Sequence, residues 1–96
     1  NSNSPDAQAS LMLTSAYLKC KHYEKAEHLL KRLLNYGLTE QYTEMAKWYL
    51  ALTLTRLESI DEAKKLYTDI AKGEGFYAGK AEKILVLFNT PKPQKN

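Results

Sequence analysis

The chain has 96 residues, 14 Lys plus Arg against 11 Asp plus Glu, and one cysteine. That length holds one domain, burying roughly 60–65% of its unfolded surface, and a lone Cys20 excludes an intramolecular disulfide framework. Fractions of 44% hydrophobic and 26% charged residues exclude wholesale disorder, and no apolar run approaches the roughly 18 residues of a membrane span. No secretory signal is visible, and this segment is not expected to contact a membrane. The chain does not begin with Met, which predicts that it is processed or excised from something longer. Two cations, Lys92 and Lys95, lie in the acid-free stretch 91–96, so the remaining body carries 12 cations against 11 anions, a net +1. A near-neutral body of mixed charge makes a poor phosphate-tracking surface, so nucleic acid is not an expected partner.

Residues 1–4 are polar and expected to be flexible. Ser4 reads as an N-cap, Pro5 as the first helical position and Asp6 as part of the first turn, starting a helix over about 5–20. Its apolar set is Leu11, Leu13, Ala16, Tyr17 and Cys20. After a tight turn at Lys21 and His22, Ala26, Leu29, Leu30, Leu33 and Leu34 fall at i, i+3, i+4, i+7 and i+8, an amphipathic stripe. Gly37 reads as the left-handed C-cap of that helix. Thr39 caps a third helix over about 40–57 that is apolar almost all round, which places it at the centre of the domain.

Ser59-Ile-Asp-Glu62 has the form of a capping box. The helix it starts turns Ile60, Ala63, Leu66, Tyr67 and Ile70 inward and stops at Gly73. A fifth helix, about 76–89, carries Tyr77, Ala81, Ile84, Leu85 and Phe88 on one stripe, and Asn89-Thr-Pro91 ends it. The tail 90–96 is expected to be disordered. Nothing reads as a strand, so the fold class is all-α.

The chain repeats itself. Tyr23-Glu-Lys-Ala26-Glu-His-Leu-Leu30-Lys-Arg-Leu33 aligns with Ile60-Asp-Glu-Ala63-Lys-Lys-Leu-Tyr67-Thr-Asp-Ile70 at a period of 37. The preceding helices align in the same register, Leu13 with Leu50, Thr14 with Ala51 and Tyr17 with Leu54. A helix-turn-helix unit with a period in the thirties is the signature of an α-solenoid, and small residues at Thr14, Ala51, Ala26 and Ala63 let paired helices approach closely.

Leu13, Thr14, Tyr17, Tyr23, Ala26, Leu30 and Leu33 resemble the tetratricopeptide repeat (TPR) in their spacing, as do Leu50, Ala51, Leu54, Ile60, Ala63, Tyr67 and Ile70. The resemblance covers about residues 7–72. It departs from the family where the usual early Trp is Ser10 or Lys47, and where the closing Pro is Leu38 or Gly75. It implies a short right-handed α-solenoid, with repeat one over about 7–37, repeat two over about 40–73 and the fifth helix as a cap, within a domain spanning 5–89. The run Ala46-Lys-Trp-Tyr-Leu-Ala-Leu52 with Phe76-Tyr-Ala-Gly-Lys-Ala81 also looks like C-terminal repeat domains of bacterial membrane-anchored proteins. That second resemblance bears on location, either cytoplasmic or the extracytoplasmic part of such a protein.

By the first resemblance, the initial helices of the two pairs line a concave groove. Its positions are Gln8, Leu11, Ser15, Leu18 and Lys19, then Met45, Trp48, Leu52, Thr55 and Arg56. Trp and Arg are frequent interface anchors, so an apolar floor edged by Lys19 and Arg56 suits a protein or peptide segment with acidic flanks. Trp48 either floors this groove or is covered by the fifth helix. The carboxylate clamp of some family members is missing, because its positions hold Leu11, Ser15, Trp48 and Leu52. The expected function is a protein-interaction or scaffold module. Self-association through Val86 and Leu87, outside the inward stripe, is the alternative. RNA binding ranks below both, since the groove has about two cations.

No enzyme is expected. Acids are spread along polar helix faces in i,i+4 partnership with lysines, as Glu27 with Lys31 and Lys65 with Asp69. Gly73-Glu-Gly75-Phe-Tyr-Ala-Gly79-Lys80 lacks both the first glycine and the Ser or Thr of a phosphate loop, so it reads as a helix end, a turn and a new helix. Cys20, His22 and His28 match no zinc spacing, and no cofactor is implied. Cys20 reads as a buried, inert thiol.

Overall fold

The computed structural model describes residues 6–89; the expectations for Ser4, Pro5 and the tail 90–96 lie outside them. Five helices account for the fold, and no strand occurs among the described residues: α1 Ala7–Lys19, α2 Tyr23–Leu34, α3 Glu40–Arg56, α4 Ile60–Lys72 and α5 Ala78–Asn89. Each helix packs on the next in sequence, and α1 also reaches α3. The helix apolar all round is therefore the one with three helical neighbours. Its buried residues are Ala46, Leu50, Ala51, Thr53 and Leu54. The core continues through Leu11, Leu30, Leu33, Ala63, Tyr67, Ile70 and Ala81. The two buried threonines, Thr14 and Thr53, satisfy their hydroxyls on the carbonyls of Ser10 and Tyr49 one turn back, at 3.0 and 2.7 Å.

The two helix-turn-helix units make the same turn. After α1, the N–H of His22 donates to the Tyr17 carbonyl (2.8 Å) and that of Lys21 to Leu18 (3.1 Å); after α3, Ser59 donates to Leu54 (2.8 Å) and Glu58 to Thr55 (3.1 Å). Lys21 and Glu58 both have φ of 64°. The residues that follow also match, His22 at φ −89°, ψ 68° and Ser59 at φ −87°, ψ 69°. This is a Schellman closure, which needs a left-handed residue at the position after the C-cap. It recurs at the period of 37 read from the side chains.

Several local readings change as a result. Among the described residues the left-handed ones are Lys21 and Glu58, while no glycine has positive φ; α2 ends at Leu34 with Asn35 as its cap, so Gly37 does not close it. Gly73 caps α4 in an extended conformation, φ −83° and ψ −172°. The Ser59–Glu62 capping box does not form: the Ser59 side chain makes no cap bond, and its N–H, the group Glu62 would need, is taken by Leu54. Glu62 turns instead to Lys31 of α2 at 3.4 Å. Asp6 is itself the N-cap of α1, its Oδ1 accepting from the Ala9 N–H at 3.2 Å. Cys20 is exposed rather than buried, because it is the C-cap at the point where the Schellman turn leaves α1. Leu13 and Ala16 also face outward, and Leu11 takes the inward position. Of the two i,i+4 ion pairs, Glu27–Lys31 closes at 2.8 Å, whereas Asp69 lies 4.0 Å from Lys47 on α3.

A left-handed conformation costs a non-glycine residue roughly 1–2 kcal/mol. Glycine's extra unfolded-state freedom cancels about 0.4–1 kcal/mol of the gain from replacing it. Lys21→Gly and Glu58→Gly are each expected to stabilise the chain by about 0.5–1 kcal/mol, raising its melting temperature by several degrees. Thermal unfolding followed by circular dichroism checks this, and an unchanged or lower melting temperature would contradict the turn geometry.

Candidate functional site

The expected groove residues come from α1 and α3, which touch each other. On α3, Met45, Trp48 and Leu52 sit at i, i+3 and i+7, half-buried and packed against the core cluster. Thr55 is tied inward: its Oγ1 donates to the Ala51 carbonyl at 2.8 Å and shares a hydrogen bond with the Tyr67 hydroxyl at 3.2 Å. Arg56 is exposed in the last turn of α3. On α1, Gln8 and Lys19 are exposed and Ser15 and Leu18 half-buried. Leu11 is 5% exposed, so this expected groove residue is part of the core and offers almost no surface.

Trp48 is the 37-residue counterpart of Leu11, and it too is drawn toward the next helices. Its indole stacks on Tyr77, centroids 5.0 Å apart and planes 16° from parallel, and meets Tyr67 edge-on at 5.7 Å. Tyr67 in turn lies 5.8 Å from Phe88 of α5. The segment entering α5 therefore covers one face of Trp48, leaving the indole half-buried. Burial raises the Tyr67 phenol above its ordinary range against the opposing effect of the Thr55 hydrogen bond. Burial is also the first cause for Tyr77, reinforced by Tyr49 and Glu44. The expected self-association residues Val86 and Leu87 lie on the outer side of α5, 58% and 72% exposed.

A further concavity lies outside the expected groove residues. A cleft of about 820 Å³ opens between the start of α3, the end of α4 and the turn before α5. Its apolar lining is Leu38, Ile70 and Phe76, and Glu40, Glu44, Glu74 and Lys47 surround it. Phe76 is 75% exposed. Glu44 lies so close to Gly75 that a Cβ there would fall on its carboxylate. The one signal in the sequence was Phe76 itself, an aromatic residue directly after a glycine-marked break; of the acids, Glu40 and Glu44 lie one turn apart on α3 and Glu74 comes from the turn before α5.

Among the described residues no group of three His, Cys, Asp or Glu is arranged to hold a metal ion, and no helix is long and apolar enough to cross a membrane. Cys20 and His22 are exposed at the α1–α2 turn, where the imidazole meets the Tyr17 ring edge-on at 6.4 Å. Comparison with family models, with curated proteins and with solved structures returns no match for this chain.

Proposed function

We propose that the chain is a non-catalytic protein-interaction module, a short right-handed α-solenoid of two TPR-like helix pairs with α5 as a cap, which takes a peptide or helix along the α1 and α3 faces. The identical turns 37 residues apart and the neighbour-to-neighbour packing support the solenoid. One observation carries the function. The central helix keeps Met45, Trp48 and Leu52 only half-buried, whereas the solvent faces of α2 and α4 carry charge. Half-buried apolar side chains with a nearby Trp and Arg are the composition of an interface anchor. Lys19 and Arg56 at its edges favour acidic flanks on the segment bound.

Selection of peptides from a random library on the immobilised chain tests this. The expected winners have an apolar centre and acidic flanks, shift Trp48 emission, and lose about tenfold in affinity for a Lys19→Glu, Arg56→Glu variant. Winners indifferent to that variant and to Leu18→Glu would overturn the reading. The exposure of Val86 and Leu87 supports a second reading, self-association through α5. A parent chain that sediments as a monomer argues against it.

A further inference from the structure

Residues 37 apart match in burial on α2 and α4, where Ala26, Leu30 and Leu33 are buried like Ala63, Tyr67 and Ile70, but not along one strip of α1, where Ala9, Leu13, Ala16 and Tyr17 are exposed or half-buried and their counterparts Ala46, Leu50, Thr53 and Leu54 are buried. In the second unit, Leu50 is 4% and Leu54 0% exposed, and Leu66 packs against the same core. On this side of the second unit α2 packs on α3 and extends Lys31 across to Glu62 of α4 at 3.4 Å. The first-unit counterparts are Leu13, Tyr17 and Leu29. Leu13 is 46% exposed, and the three line an open cleft of about 510 Å³ between α1 and α2. The surface that a helix occupies in unit two is empty in unit one among the described residues.

The rim charges identify the missing cover. In unit two the polar positions are Asp61, Glu62, Lys65 and Asp69, mostly acidic, and the covering helix brings a lysine. In unit one the same positions are Glu24, Lys25, His28 and Arg32, which line the cleft. Lys25 stands where Glu62 stands, and Arg32 where Asp69 stands, so the charge is inverted. A second copy offering α5 would bring Lys80 and Lys83, with only Glu82 between them, to this cationic rim. We infer that the cleft between α1 and α2 is a docking site for an amphipathic helix of a partner protein with acidic residues beside its apolar stripe, laid as α2 lies on α3. This face lies apart from the groove of the proposed function and does not depend on it.

The probe is a helix-constrained synthetic peptide with the sequence of α2, residues Tyr23–Leu34, made unaltered and with Lys31→Glu, and titrated into the whole chain by NMR. The Lys31→Glu peptide is expected to shift the amide signals of Leu13, Tyr17 and Leu29. It should bind about fivefold more tightly than the unaltered peptide, the size of one exposed ion pair. A Lys25→Glu chain should reverse that preference. Leu13→Asp, at a position already half exposed, should abolish both titrations while leaving the melting temperature and Trp48 emission unchanged. The inference is overturned if neither peptide binds, if the preference survives Lys25→Glu, or if the shifts fall on Leu18 and Leu52 instead. A parent chain that dimerises, and loses its dimer with Leu13→Asp, overturns it in favour of a second copy.

Discussion

Tyr67→Ala is expected to lower stability by about 3–5 kcal/mol, the range for emptying a large aromatic site in a core. Tyr67 is 1% exposed. Its ring joins Trp48 of α3 to Phe88 of α5, at 5.7 and 5.8 Å, and its hydroxyl meets Thr55 at 3.2 Å. Among the described residues, α5 packs on α4 and on no other helix, so removing this ring takes away the middle of its docking surface. Urea unfolding should show a much lower midpoint, with Trp48 emission shifting to the red because Tyr77 no longer holds its place. Tyr67→Phe separates ring from hydroxyl and should cost only about 1 kcal/mol, the value of one hydrogen bond.

The same residue sets a pH dependence. The folded-state Tyr67 phenol titrates above its ordinary value of 10.0, raised by burial, and Tyr77 behaves alike. A group whose pKa is higher folded than unfolded binds its proton more tightly in the folded state. Its contribution is therefore complete below pH 10.0 and is lost as pH rises through the folded-state value. Lys31, raised first by its Glu27 hydrogen bond, acts in the same direction above its ordinary 10.5. The chain should unfold in alkali with Tyr67 ionisation coupled to loss of ellipticity, and Tyr67→Phe should extend its stable range upward. If the melting temperature of the parent is flat beyond pH 11, the burial argument fails.

Ala26→Leu and Ala63→Leu are each expected to destabilise by about 1–3 kcal/mol. Both alanines have 0% exposure, as do Thr14 and Ala51 on the partner helices, α1 and α3. Three added carbons therefore have no space without pushing apart α1 and α2, or α3 and α4. Ala16→Leu, on the exposed side of α1, is the control and should stay within about 0.5 kcal/mol of the parent. Chemical unfolding of the single and double variants checks this. The two effects should add, since they strain different units. Tolerance of leucine at both positions would remove the physical basis for treating the alanines as equivalent.

The amphipathic helices were legible because their information is local. In α2 and α4 the apolar residues recur within one helix, at Ala26, Leu30, Leu33 and at Ala63, Tyr67, Ile70, and all six are buried. The expected fifth stripe also packs inward, with Ala81, Ile84, Leu85 and Phe88 on α5 and Tyr77 just before its start at Ala78. Where two outcomes were locally equivalent, the neighbours chose. Ser59 and Glu62 could have capped each other, but the closing turn of α3 took the Ser59 N–H and Lys31 took the Glu62 carboxylate. Leu11 and Leu13 are equally apolar, and only the contact of α1 with α3 decides that Leu11 is inside. Trp48 is half-covered because Tyr77, 29 positions away in sequence, stacks on it. The acidic cleft around Phe76 is assembled from two stretches, 38–47 and 70–76, so no short window of sequence contains it.

The amino-acid sequence by itself determined five helices, the 37-residue repeat, the central place of α3 and the near-neutral charge of the body. Hydrophobic periodicity and side-chain size are properties of each helix before it meets another, which is why those features could be read. The tertiary structure alone decided the left-handed turns at Lys21 and Glu58, the outward Cys20 and the open strip of Leu13, Tyr17 and Leu29. Each of these depends on which backbone group or helix stands opposite. Leu50 lies on a helix with one unit before it in the chain, and Leu13 on a helix with none among the described residues.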